Sequence, residues 1–142
     1  MLARAVILLL LLFAVASGSS GQSLALRGGV NVDLVVDPLR AASVSVASTK
    51  LMWRHLRRPS KITVSTSSPG QRFALAVEAE KVKDGLPVGT VNLQDGLPAT
   101  ELIVDAGQKR NGHCTLRYTA TALPSHGIGQ DVHLVTYTLT EQ

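Results

Sequence analysis

Residues 113–122, HCTLRYTATA, alternate strictly between two kinds of side chain. Cys114, Leu116 and Tyr118 fall on one face of this stretch, together with two alanines, and Arg117 falls on the other face among threonines. A period of two residues is typical of a β-strand with one buried face. The stretch therefore predicts a half-buried strand.

The same alternation recurs along the rest of the chain. Residues 72–80 and 131–139 show it clearly, and weaker runs are found at 23–26, 30–36, 42–47, 61–66, 88–93 and 101–105. Turn-forming pairs such as Asp37-Pro38 and Asn111-Gly112 separate the runs. Short strands without a convincing helix predict an all-β fold, an antiparallel two-layer sandwich with an immunoglobulin-like arrangement. A small barrel or a jelly roll is the alternative.

Residues 1–20 have the composition of a secretory signal. Arg4 supplies a positive charge, residues 5–15 are all apolar, and small residues follow. The apolar run is shorter than the roughly 20 residues that a transmembrane helix needs. We therefore predict a signal peptide helix that is cleaved after Ala16 or Gly18, and a chain exported to the periplasm or secreted. An uncleaved anchor helix is the alternative.

Residues 21–142 have the size of one domain, and we predict a single β-sandwich domain there. No second long apolar run follows, so we expect no transmembrane segment after signal removal. The formal net charge is +4, of which Arg4 contributes one, and this favours solubility and a weak attraction to polyanions. The single cysteine, Cys114, is either a buried thiol or a link between two chains, which leaves the oligomeric state open.

Cations cluster around a tryptophan in residues 50–61, and two more lie at a predicted hairpin tip. Guanidinium groups bind phosphate or sulfate through two hydrogen bonds, and an indole suits a membrane interface. This pattern predicts a binding site for an anionic glycan, a lipid head group or another polyanion. Its candidate residues are Lys50, Trp53, Arg54, Arg57, Arg58, Lys61, Lys109 and Arg110. The alternative, which the burial of most tryptophans favours, is a solvated loop with Trp53 in the core.

The sequence offers weak signals for metal binding. Cys114 and the histidines His113, His126 and His133 are of the types that ligate soft metals. However, no methionine follows Cys114 to serve as the axial ligand of a blue-copper site, and Cys114 lies on the apolar face of its strand. We therefore predict no metal and no cofactor.

Catalysis and nucleic-acid binding are also disfavoured. The chain has no Gly-x-Ser-x-Gly or His-Glu-x-x-His motif. Glu78 and Glu80 share a strand face, but this pair suits a solvent-exposed face. Asp131 and His133 also share a strand face, but their spacing alone is weak evidence for a catalytic pair. Outward strand positions lack the aromatic residues on which bases stack. We predict that the protein is not an enzyme and binds no nucleic acid.

An exported module without a catalytic site acts through its surface. We expect surface binding or structural assembly in the cell envelope, with another envelope protein or an anionic surface polymer as partner. A sheet edge can accept a strand from a neighbouring chain. Residues 24–34, apolar at 24, 26, 30, 32 and 34, are a candidate donor, and in this respect the stretch resembles chaperone-assembled fimbrial subunits. The alternative, which we prefer, is pairing within its own domain.

Overall fold

The computed structural model describes residues 3–16, 22–28, 30–36, 39–126 and 129–142. Within these residues the chain forms eleven β-strands and a short 3-10 helix at Pro124–His126. The strands are β1 Ala3–Ala16, β2 Ser23–Arg27, β3 Val30–Val36, β4 Ala42–Arg54, β5 Ser60–Ser67, β6 Ala74–Lys83, β7 Leu86–Pro87, β8 Val91–Leu93, β9 Thr100–Ala106, β10 Gly112–Ala122 and β11 Gly129–Glu141. None of the helices in the described residues has the length and apolar character needed to cross a membrane.

The strands form two sheets. The first sheet has the order β3-β1-β11-β5-β9-β7, and the second has the order β2-β4-β10-β6-β8. Neighbouring strands run antiparallel, except β1 and β11, which run parallel. The prediction of an all-β fold built from antiparallel sheets is confirmed, and the immunoglobulin-like arrangement stays a prediction.

The alternation seen in the sequence matches the burial of the central strands. Along β10 every second residue is buried, and the residues between them are half-buried or exposed. The pairing of β10 with β6 aligns Tyr118 with Val77 and Ala120 with Leu75, all of which are buried. The inward positions of neighbouring strands therefore join into a continuous apolar surface.

Strand β4 extends further than the sequence predicts. The expected run ended at residue 47, whereas β4 continues along β10 to Arg54. The register with β10 shifts once, and the exposed residues Ala47 and Ser48 lie at this bulge. An extra residue in a strand shifts the inward-facing positions by one, so the alternation of buried residues before the bulge does not continue in step after it. After the bulge the buried face continues through Thr49, Leu51 and Trp53.

The N-terminal apolar segment is a strand and not a helix. Ala3–Ala16 forms β1, which lies between β3 and β11 and pairs with β11 from Ala5 opposite Gly129 to Ala16 opposite Leu139. The predicted signal peptide helix is therefore not seen, and this prediction is corrected. A continuous apolar run has no hydrophobic period, so the sequence alone does not distinguish a helix from a strand with neighbours on both edges.

A hydrogen bond between two tyrosines joins the sheets within the core. Tyr118 of β10 and Tyr137 of β11 belong to different sheets, and both side chains are fully buried. Their hydroxyl groups hydrogen-bond at 2.7 Å. Burial raises the pKa of both phenols, so both stay neutral. This pairing satisfies two polar atoms that would otherwise cost free energy in the apolar interior.

Candidate functional site

Three of the cations predicted to bind an anion lie apart from the others. Lys61 belongs to β5 in the first sheet, where its Nζ lies 3.4 Å from Oε1 of Glu101. Arg58, in the loop before β5, lies 3.7 Å from the Glu141 carboxylate, and the neighbouring Arg57 is exposed in the same loop. The basic segment therefore does not form one continuous surface, because strand β4 and strand β5 belong to different sheets.

Two of the remaining four predicted cations, Arg54 and Lys109, meet at one end of the second sheet. Pairing places Met52 of β4 beside His113 of β10, and His113 beside Lys83 of β6. The loop that leads from β9 in the first sheet to β10 in the second sheet brings Lys109 to the same place. Together these elements border an open cavity of about 400 Å³, which we call the basic cavity. It is lined by Met52, Trp53, Arg54, His55, Lys83, Lys109, Asn111, Gly112 and His113.

Two of the predicted cations lie outside the basic cavity. Lys50 is exposed on β4, and the strand register places it opposite Thr115 of β10. Arg110 is exposed beside Lys109 in the loop between β9 and β10. The predicted hairpin tip at these two residues is corrected, because β9 and β10 belong to different sheets and do not pair. Lys83 was missed by the sequence analysis, because only the pairing of β6 with β10 brings it to this end of the sheet.

Trp53 is a buried wall of the basic cavity and not an exposed contact residue. Its side chain is fully buried, and its Nε1 donates a hydrogen bond to Oδ2 of Asp84 at 3.1 Å. Gly112 packs so closely against the indole that a Cβ at this position would lie 2.4 Å from Nε1. The interpretation of Trp53 as an interfacial residue is therefore corrected, and the buried alternative is the one observed.

Hydrogen bonds tie together the loops around the basic cavity. In addition to the Trp53 indole, the Asp84 carboxylate accepts hydrogen bonds from the backbone N–H groups of Gly107 at 2.8 Å and Lys109 at 3.0 Å. Oδ1 of Asn111 accepts a hydrogen bond from the N–H of His55 at 3.1 Å. These bonds fix the loop after β4 and the β9–β10 loop relative to each other, so the backbone that carries Arg54 and Lys109 is held in place before any ligand binds.

Cys114 and His113, two of the residues that suggested a metal site, face opposite sides of β10. Cys114 is buried in the core, where burial raises the pKa of its thiol to about 12. His113, the preceding residue on β10, is exposed on the opposite face of the sheet. Over the ranges that the structure describes, no three His, Cys, Asp or Glu side chains are grouped in a way that would hold a metal ion.

Asp131 and His133 face inward from β11 and have structural partners. The Asp131 carboxylate accepts hydrogen bonds from the backbone N–H groups of Arg72 at 3.0 Å and Phe73 at 2.8 Å, which fixes the loop between β5 and β6. Nδ1 of His133 hydrogen-bonds to Oγ1 of Thr66 at 2.9 Å. The sequence did indicate this inward orientation. The alternation that places residues 135, 137 and 139 inward also places Asp131 and His133 inward when it is continued toward the start of β11.

The carboxylate pair on β6 is a surface feature. Glu80 accepts a hydrogen bond from Nε of Arg117 on the neighbouring strand β10, and this bond lowers the pKa of Glu80. Glu78 lies opposite Arg117 in the strand register. Both carboxylates are therefore placed beside a cation on an outer sheet face, as expected for solvated charges.

Acidification is expected to destabilise the fold through His133. Burial lowers the pKa of His133 from its ordinary value of 6.5, so below that pH the unfolded chain takes up a proton that the folded chain does not. The free energy of unfolding should fall as the pH drops through the ordinary histidine range and level off below the lowered pKa of the folded state. Urea unfolding at several pH values measures this slope.

His133→Asn is the variant that isolates this effect, because its side chain does not titrate and its amide can still hydrogen-bond near Thr66. We expect the free energy of unfolding to fall less between pH 7 and pH 5 in this variant than in the original protein (roughly the window in which histidines titrate). His113→Asn, at an exposed position of β10, should keep the original slope. Equal slopes in the original protein and His133→Asn would contradict the prediction.

A comparison of the chain with protein-family models and with curated proteins finds no match. Its function is therefore argued from the positions of its strands and side chains.

Proposed function

We propose that the protein is an exported β-sandwich module of the cell envelope or the extracellular space, and that it acts by structural assembly with another chain and not by catalysis. The immunoglobulin-like arrangement is part of this proposal. The observation that supports it is the position of β1. A segment with the composition of a cleavable leader occupies an interior place in the first sheet, between β3 and β11.

Cleavage of the leader would open this place in the sheet. Strand β1 ends at Ala16, so cleavage after Ala16 or after Gly18 removes all of β1 and none of β2. Strand β11 would then lose its neighbour on one edge, and β3 would lose its only partner in the sheet. A long unpaired strand edge with a buried apolar face is prone to pair with other chains. Proteins use such edges to accept a strand from a partner.

The strand that replaces β1 is proposed to come from another polypeptide. Within the same chain, β3 is the nearest candidate, but only residues 28 and 29 join its start to β2 in the other sheet. The three steps from Arg27 to Val30 span at most about 11 Å. Facing sheets lie about 10 Å apart, so crossing between the sheets uses most of this reach.

The test compares the full chain with a chain that lacks residues 1–18. We expect the shortened chain either to associate with itself or to unfold at a lower temperature than the full chain. A peptide with the sequence of residues 3–16, kept soluble by a run of lysines at one end that the control peptide also carries, should restore stability, by about 2.7 kcal/mol at a concentration one hundred times its Kd. Light scattering and thermal unfolding with added peptide measure the two effects.

The matched control peptide has proline in place of Leu9, Leu11 and Phe13. Proline lacks the N–H group that a strand needs for pairing, so this peptide should not stabilise the shortened chain. The proposal fails if the shortened chain is a monomer as stable as the full chain and neither peptide changes its unfolding temperature.

A further inference from the structure

We propose that the basic cavity binds an extended glycan that bears sulfate or phosphate groups. Arg54, Lys83 and Lys109 line this cavity from three separate elements, β4, β6 and the β9–β10 loop. The ion pairs formed within the described part of the chain join Arg58, Lys61 and Arg117 to carboxylates, and none includes a cation of the cavity. These three cations are therefore placed to bind external anions.

The surroundings of the cavity favour an oxyanion. The lining residues of the cavity include no carboxylate, and Asn111 and the imidazoles of His55 and His113 add polar groups. The nearest acidic side chain in the local hydrogen-bond network, Asp84, already accepts three hydrogen bonds. An arginine guanidinium binds two oxygens of a sulfate or phosphate group at once, and lysines add point charges.

A second cavity indicates a ligand longer than a single anion. This cavity, of about 260 Å³, is lined by Ser23, Ala25, Leu26, Arg27, Met52 and Arg54. It shares Met52 and Arg54 with the basic cavity, and Arg27 lies at its other end, opposite Lys50 in the strand register. Positive charges thus continue from the basic cavity across β4 to β2, which suits a polymer with repeated anionic groups.

The same surface lacks the features of a membrane-binding site. The large apolar side chains exposed in the described residues are Leu39, Leu86, Val88, Leu97, Leu123 and Val132, and none of them lines either cavity. Trp53 is buried and so cannot enter a bilayer. A peripheral membrane site normally combines cations with apolar side chains that insert between lipids, so a glycan is the better match.

The test measures binding of the full chain to dextran sulfate by isothermal titration calorimetry, with uncharged dextran of the same length as the control ligand. The triple variant R54Q/K83Q/K109Q should weaken binding by at least about tenfold, because it removes three charged contacts from one site. The matched variant R57Q/R58Q/K61Q removes the same number of charges elsewhere, and should weaken binding by less than about threefold through the net charge alone.

Equal weakening by the two triple variants would overturn the proposal, because it would show attraction by net charge without a site. Binding to anionic vesicles but not to dextran sulfate would overturn it as well, in favour of a lipid surface. A parallel titration with phosphorylated dextran distinguishes sulfate from phosphate as the preferred group, and the site is supported if either polymer shows the expected difference between variants. The result is independent of the strand-assembly proposal, since no lining residue of either cavity belongs to β1, β3 or β11.

Discussion

Replacing Trp53 with alanine is expected to lower the free energy of unfolding by about 3–5 kcal/mol, a large part of the stability of an ordinary domain. Trp53 is among the largest fully buried side chains of the protein, and its loss leaves a cavity between β4 and the close-packed Gly112. The substitution also removes one of the three donors that hold the Asp84 carboxylate. Urea unfolding followed by circular dichroism measures the loss.

Two further variants separate the contributions to this effect. Trp53→Phe keeps an aromatic ring but removes the indole N–H, and should cost about 1–3 kcal/mol. Met52→Ala, one position earlier on the half-buried outer face of β4, should cost less than either. A Trp53→Ala variant within about 1 kcal/mol of the original protein would show that the indole is not part of the core.

Replacing Asp131 with alanine is expected to cost about 2–4 kcal/mol, because the substitution leaves two backbone N–H groups without their acceptor. Asp131 is buried, and its carboxylate holds the loop between β5 and β6 through the N–H groups of Arg72 and Phe73. Phe73 is itself buried in the core, so a loosened loop also disturbs apolar packing. Thermal unfolding and proteolysis of this loop measure the two consequences.

Asp95→Ala is the matched control for Asp131→Ala. Asp95 also accepts a hydrogen bond from a backbone N–H group of the same loop, that of Ser68 at 2.8 Å, but Asp95 is exposed. Water can replace an exposed acceptor, so this variant should lose about 1 kcal/mol or less. Similar losses in the two variants would show that burial does not determine the contribution of Asp131.

The strands with one buried face could be predicted from the sequence, since their alternation reflects local geometry. Residues 113–122 correspond closely to β10, and the inward positions of residues 72–80 are buried in and next to β6. Prediction failed where the pattern was interrupted or absent. The bulge at Ala47 and Ser48 hid the second half of β4, and the uniform apolar run gave no sign that β1 would be a strand.

The candidate site could be predicted only in part, because its residues are distant in sequence. The composition of residues 50–61 drew attention to Arg54, which lines the basic cavity. Whether Arg54 lies closer to Lys83 or to Lys61 depends on which strands pair, and β4 and β5 enter different sheets despite being consecutive. The contact between Trp53 and Asp84 depends on the same long-range pairing, which no local pattern reports.

The parallel pairing of β1 with β11 has a consequence for biosynthesis. Strand β11 is translated long after Ala3–Ala16, because most of the described chain lies between them. At ordinary elongation rates the interval is on the order of 10 s. Throughout this time the apolar segment has no β11 to pair with, so a targeting factor can bind it without competition from the finished sheet. If the chain is exported as proposed above, the order of translation gives export precedence over folding.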